Sequence, residues 1–136
     1  MDVYPVGCEL VWRRAFPGIA EHAHSAREFV AFLLADMPVL DDAVLVTGEF
    51  VANALRHTAS ARPDGRFIVE VRRRPDSATI ALTDQGGPKE PTIPNVDDMS
   101  ECGRGLYMVR ALASELTWSG SHAGRTFTAT LKDGSR

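Results

Sequence analysis

No stretch of this chain restricts its fold more than the segment from about Asp41 to His57. Leu40, Ala43, Val44, Phe50, Val51, Ala54 and Leu55 fall on one side of a helical repeat. Glu49, Asn53 and His57 are spaced four apart, so each lies only about 40° further round than the last and they form one polar stripe. Asp41 is placed where an N-cap would be. A helix with so wide an apolar face has to pack on another layer.

The rest of the chain supplies that layer. Glu9 to Phe16 reads as a strand stopped by Pro17-Gly18, and Arg66 to Arg73 with Ser77 to Thr83 reads as an antiparallel pair around Arg74-Pro75-Asp76. Leu116 to Ser119 and Thr126 to Leu131 are two further strand candidates. Between the first strand and the central helix, Ile19, Ala23, Ala26, Val30, Leu33 and Leu34 recur at helical spacing up to about Met37, where Pro38 closes the segment. Pro63-Asp64-Gly65 marks a loop, and a last helix is expected from about Gly105 to Leu116. This order favours an α+β sandwich, helices on one face of a mostly antiparallel sheet, as a single domain over residues 1–136.

Composition narrows the function classes. With 44% apolar and 24% charged residues the chain has the make-up of a folded globular protein. A formal net charge of −3 with interspersed signs gives no basic stripe, so direct nucleic-acid binding is not expected, and Arg72-Arg73-Arg74 reads as a solvated turn. Cys8 and Cys102 fit neither a disulfide framework nor a zinc site. No apolar run is long enough to span a bilayer and no secretory signal order is present, so a cytoplasmic location away from membranes is expected. His22-Ala23-His24 reads as solvated helix histidines rather than a metal pair. The P-loop pattern, the full dinucleotide fingerprint and the Gly-x-Ser-x-Gly nucleophile turn are all missing.

Two glycine motifs remain. Asp84-Gln85-Gly86-Gly87-Pro88 follows the apolar strand Thr79-Ile80-Ala81-Leu82. A carboxylate at a strand end can accept from an exocyclic amine, and glycines let a flat base approach the backbone. Gly103-Arg104-Gly105-Leu106 opens a helix whose free N–H groups and dipole attract phosphate, with Arg104 adding a cation. Taken singly, each is also an ordinary turn. Between them, Gln85 to Cys102 carries Pro88, Pro91 and Pro94 without periodicity and reads as a long lid or binding loop.

In this order the three motifs resemble the N, G1 and G2 boxes of the GHKL (histidine-kinase-like, Bergerat-fold) ATPases, and Gly124-Arg125-Thr126 resembles the family's final Gly-x-Thr box. Short chains with Gly-Arg-Gly-Leu in the second glycine box are most similar to bacterial anti-sigma factors with serine-protein kinase activity. The resemblance implies ATP and Mg²⁺ as cofactors and Asn53 as the metal ligand. It implies Glu49 as the general base, with Asp84 and Gly86 at the adenine. Gly103, Arg104, Gly105 and Leu106 would wrap the phosphates, Thr126 or its neighbouring backbone would help to hold the nucleotide, and His57 would support the lid or the phosphates. It further implies a sigma factor and an anti-sigma antagonist as protein partners, with ATP or ADP bound, and it allows a homodimer. Two functions follow: a serine-protein kinase, or a nucleotide-gated switch that binds ATP without transferring phosphate. The adjacent glycines and Pro88 depart from the usual Asp-x-Gly-x-Gly box.

Overall fold

A computed structural model describes residues 8–89, 91 and 104–134, with the Arg104 side chain excepted. Strand β1 (Leu10–Pro17) leads into helix α1 (Glu21–Leu33) and helix α2 (Leu40–His57). A short 3₁₀ turn (Ala59–Ala61) precedes β2 (Arg66–Arg74) and β3 (Ser77–Asp84), and α3 (Arg104–Leu112), β4 (Glu115–Ser121) and β5 (Gly124–Lys132) complete the order. The strands form a five-stranded sheet in the order β1-β2-β3-β5-β4, antiparallel at every pairing. The expected β2–β3 hairpin is present, with Arg74 paired to Ser77.

Strand alternation decides what faces the helices. Val69 and Val71 of β2, Ile80 and Leu82 of β3, and Phe127, Ala129 and Leu131 of β5 are buried on one side of the sheet. Ala26 and Val30 of α1, with Val46, Phe50, Val51 and Ala54 of α2, belong to the same core. Phe50 meets Phe127 at 5.8 Å between ring centroids, and Phe16 stacks on Phe67 at 5.5 Å. On the other side, threonine hydroxyls pair across the strands, Thr83 with Thr126 at 2.8 Å and Thr79 with Thr130 at 3.2 Å.

Several boundaries differ from the sequence reading. α1 ends at Leu33, short of Met37, because Leu34, Met37 and Val39 are buried as turn residues that continue the apolar spacing beyond the helix. Arg73 closes that end, donating to the Leu33 carbonyl at 2.8 Å and bonding Asp36. It is therefore a structural tie rather than a solvated turn residue, whereas Arg72 and Arg74 pair with Glu9 at the surface. Asp41 lies inside α2 and Val39 holds the N-cap position, so Asp41 and Asp42 act on the helix dipole from the first turn. On α2 the wholly buried residues include Val46 and Thr47 in place of Val44 and Leu55. Thr47 can be buried because its hydroxyl donates to the Ala43 carbonyl. α3 ends at Leu112 rather than Leu116, which begins no strand but lies within β4.

Candidate functional site

The end of β3 delivers Asp84 to the helix-facing side of the sheet, where it is only 3% exposed. Its Oδ1 accepts the Gly86 N–H at 2.7 Å, and its Oδ2 is buried with no hydrogen-bond donor among the described residues. A buried acceptor left open in this way is costly and calls for a donor. Burial pushes the carboxyl above the usual aspartate range; the Gly86 N–H, the Arg125 charge and the Arg125 N–H pull against it.

The glycines after Asp84 are fixed by their neighbours. Gly86 has φ +75°, and the His122 carbonyl occupies the place where a Cβ would stand. A Cβ on Gly87 would come within 2.7 Å of the His57 carbonyl. The outer edge of the turn is stitched to the 3₁₀ segment: Ala59 N–H donates to the Gly86 carbonyl at 2.8 Å, and Gln85 N–H donates to the buried Ser60 hydroxyl at 3.0 Å. Beneath it, Arg125 Nη2 donates to the Gly87 carbonyl at 2.6 Å.

α2 links this corner to the second glycine turn. Glu49 Oε2 occupies the place a Cβ at Gly105 would take, so the carboxylate lies against the first turn of α3. Leu106 and Val109 are buried in the core and hold α3 there. The stripe from Glu49 through Asn53 to His57 thus runs about 12 Å along the helix, from one glycine turn to the other. A cavity of about 610 Å³ opens at the Gly87 end, lined among others by His57, Arg62, Gly87, Pro88 and His122.

The structure therefore brings Glu49 to Gly105, and brings Asp84, Gly86 and the end of α2 together. His57 stands at the Gly87 end of the stripe, two helical turns from Glu49, and not beside the first turn of α3. Leu106 serves the core. The Thr126 hydroxyl bonds Thr83 on the far face of the sheet, while the backbone of the same box runs beside the end of β3, with Arg125 paired to Asp84. Gly103, the Arg104 side chain and residues 90 and 92–102 of the expected lid over Gln85 to Cys102 lie outside the described residues. The sequence motifs assign no role of their own to Arg125 or Ser60. Arg125 could have been found by counting back in twos from Leu131, Ala129 and Phe127, the inward positions of β5.

Residues 16–131 match the family model described as histidine kinase-like ATPase domain. This chain belongs to that family. The α+β architecture, an antiparallel sheet with helices on one face, is the Bergerat type expected of it. A comparison with curated proteins gives no match. Among solved structures, the RsbU and RsbW domains of Rv1364c from Mycobacterium tuberculosis are similar in fold, with a TM-score of 0.67 and 22% identity over 90% of this chain. The match covers 32% of that chain. No helix among the described residues is long and apolar enough to cross a membrane.

Proposed function

We propose that this domain binds ATP with Mg²⁺ along the α2 stripe and transfers the γ-phosphate to a serine of a partner protein, in the manner of an anti-sigma factor kinase. The observation that carries the nucleotide reading is the buried Asp84 Oδ2, an acceptor without a donor at the head of a glycine turn. The exocyclic amine of adenine is a donor of the required kind. At the other end of the stripe, phosphates would meet the first turn of α3 and Glu49 would face the attacking hydroxyl as general base.

Among the described residues, no group of three or more His, Cys, Asp or Glu side chains could hold a metal by itself. The donor set suits Mg²⁺ shared with phosphates, with Asn53 offering its amide oxygen one turn beyond Glu49. When bound, the ion would neutralise phosphate charge. The chain's own part is to fix the base at Asp84 and to hold Glu49 near the transferring group.

The motif resemblance to anti-sigma factor kinases points to a regulatory partner, with a sigma factor and its antagonist as the candidates. One observation favours the second reading, a switch that binds without transfer: the Gly87 carbonyl is held by Arg125 and followed by Pro88, which stiffens a turn that turnover would need to open. Calorimetry with ATP and Mg²⁺ tests the shared premise. One site is expected, with thermal stabilisation; no heat and no stabilisation at millimolar nucleotide would reject both readings.

A further inference from the structure

Arg125 is 5% exposed, an unusual place for an arginine, and its register partner across β3–β5 is Asp84. One nitrogen is committed to the Gly87 carbonyl at 2.6 Å, while its Nε has no acceptor among the described residues. Two buried and incompletely satisfied polar groups of opposite charge thus meet at one corner of the sheet. Desolvating a guanidinium is costly, and no packing need explains it, since the other inward residues of β5 are Phe127, Ala129 and Leu131. The Thr126 hydroxyl of the same box is engaged on the opposite face.

We propose that Arg125 is a positioning residue of the nucleotide site: its guanidinium pins the Gly86-Gly87 turn through the Gly87 carbonyl and supplies the cation that the buried Asp84 carboxylate faces. The role of the corner in reading a base rests on the nucleotide reading above; the device itself is built from the chain's own residues. Other charged or titratable groups around the turn are His57 from α2, Arg62 from the segment after the 3₁₀ turn and His122 from the β4–β5 turn. These three are exposed and line the outer cavity, whereas Arg125 is buried with Asp84. Without it, Asp84 would face burial with only backbone N–H groups in support, and the carboxylate would hold its proton to higher pH.

The test uses the nucleotide-free full chain as wild type, Arg125→Gln and Arg125→Lys. Because the Gly86 N–H donates to Asp84, its amide proton shift reports the ionisation of that carboxylate. In Arg125→Gln the Gly86 titration midpoint should move up by about one pH unit or more. Exchange at the Ala59 amide, which donates to Gly86, should also quicken. Arg125→Lys should keep a midpoint near wild type, having kept the charge, yet share the faster exchange, having lost the guanidinium geometry. ATP affinity of Arg125→Gln should fall more at pH 6 than at pH 8, and an affinity loss equal at both would count against the charge role. An unchanged midpoint and unchanged exchange in Arg125→Gln would overturn the proposal. Should that variant not fold, a raised midpoint in Arg125→Lys would overturn it instead, and the wild-type-like midpoint with faster exchange would support it. Wild type that binds no ATP while the titration arm behaves as expected would reject the nucleotide reading alone.

Discussion

A single carboxylate carries the conflict at the centre of this molecule. Asp84 is buried where charge is unfavourable, and its Oδ2 remains open. Asp84→Asn keeps the shape but weakens the acceptor, so ATP affinity should drop by roughly ten- to hundredfold, the worth of about 1.5–3 kcal/mol for a hydrogen bond to a charged group. Inorganic triphosphate, which has no base, should lose little; equal losses would move Asp84 away from adenine. The same variant has a stability signature whose sign follows from the raised pKa, which burial of the carboxyl causes. A carboxyl that holds its proton more tightly in the fold stabilises below its unfolded value, near pH 3.9, and loses that contribution as pH rises through its folded value. The melting temperature of Asp84→Asn relative to wild type should therefore climb as pH increases from about 4 into the neutral range. A difference that shrinks over that interval would show that Asp84 is held ionised at no cost.

At the level of elements, α2 serves two faces at once. Its buried side carries Phe50, whose ring meets Phe127, and its stripe carries Glu49 and Asn53. Phe50→Ala should cost about 3–5 kcal/mol in urea unfolding, as truncation of a buried aromatic in a close-packed core does. A loss under about 1 kcal/mol would mean that the helix does not rest on the sheet as described. The helix itself, its stripe, the hairpin and the order of elements were legible in the sequence, because periods of 3.6 and 2 are imposed by burial on one side. Boundaries were less legible. Leu34, Met37 and Val39 are apolar for the sake of the core and mimic a helix that has already ended. The Asp84 and Gly86 corner could be read, since a carboxylate at a strand end before glycines is a local pattern. The Gly105 contact with Glu49 and the pairing of Arg125 with Asp84 are meetings of distant segments; strand alternation turns Arg125 inward, and only the register places it opposite Asp84.

The whole molecule joins these parts into one path, since a ligand laid along α2 would touch the β3 turn at one end and α3 at the other. Such a ligand ties together segments far apart in sequence, so saturating ATP with Mg²⁺ should stabilise the fold by about 2.7 kcal/mol at one hundred times the dissociation constant. The two functional readings separate on α2. Glu49→Gln preserves shape and removes the proton acceptor, so ATP should stabilise this variant nearly as it does wild type while phosphorylation of a partner serine disappears. Asn53→Ala should lose only the part of binding that depends on Mg²⁺, visible as equal ATP affinity with and without the ion. Glu49 adds a complication that sharpens the experiment, because its carboxylate lies against Gly105 and favours the dipole at the start of α3. The amide should weaken that contact, which predicts a modest loss of stability in Glu49→Gln without nucleotide and recovery when phosphates take the place of the lost charge. If Glu49→Gln and wild type transfer phosphate alike, the carboxylate is a helix anchor and not the base; if neither transfers any while ATP still controls partner binding, the domain is a switch.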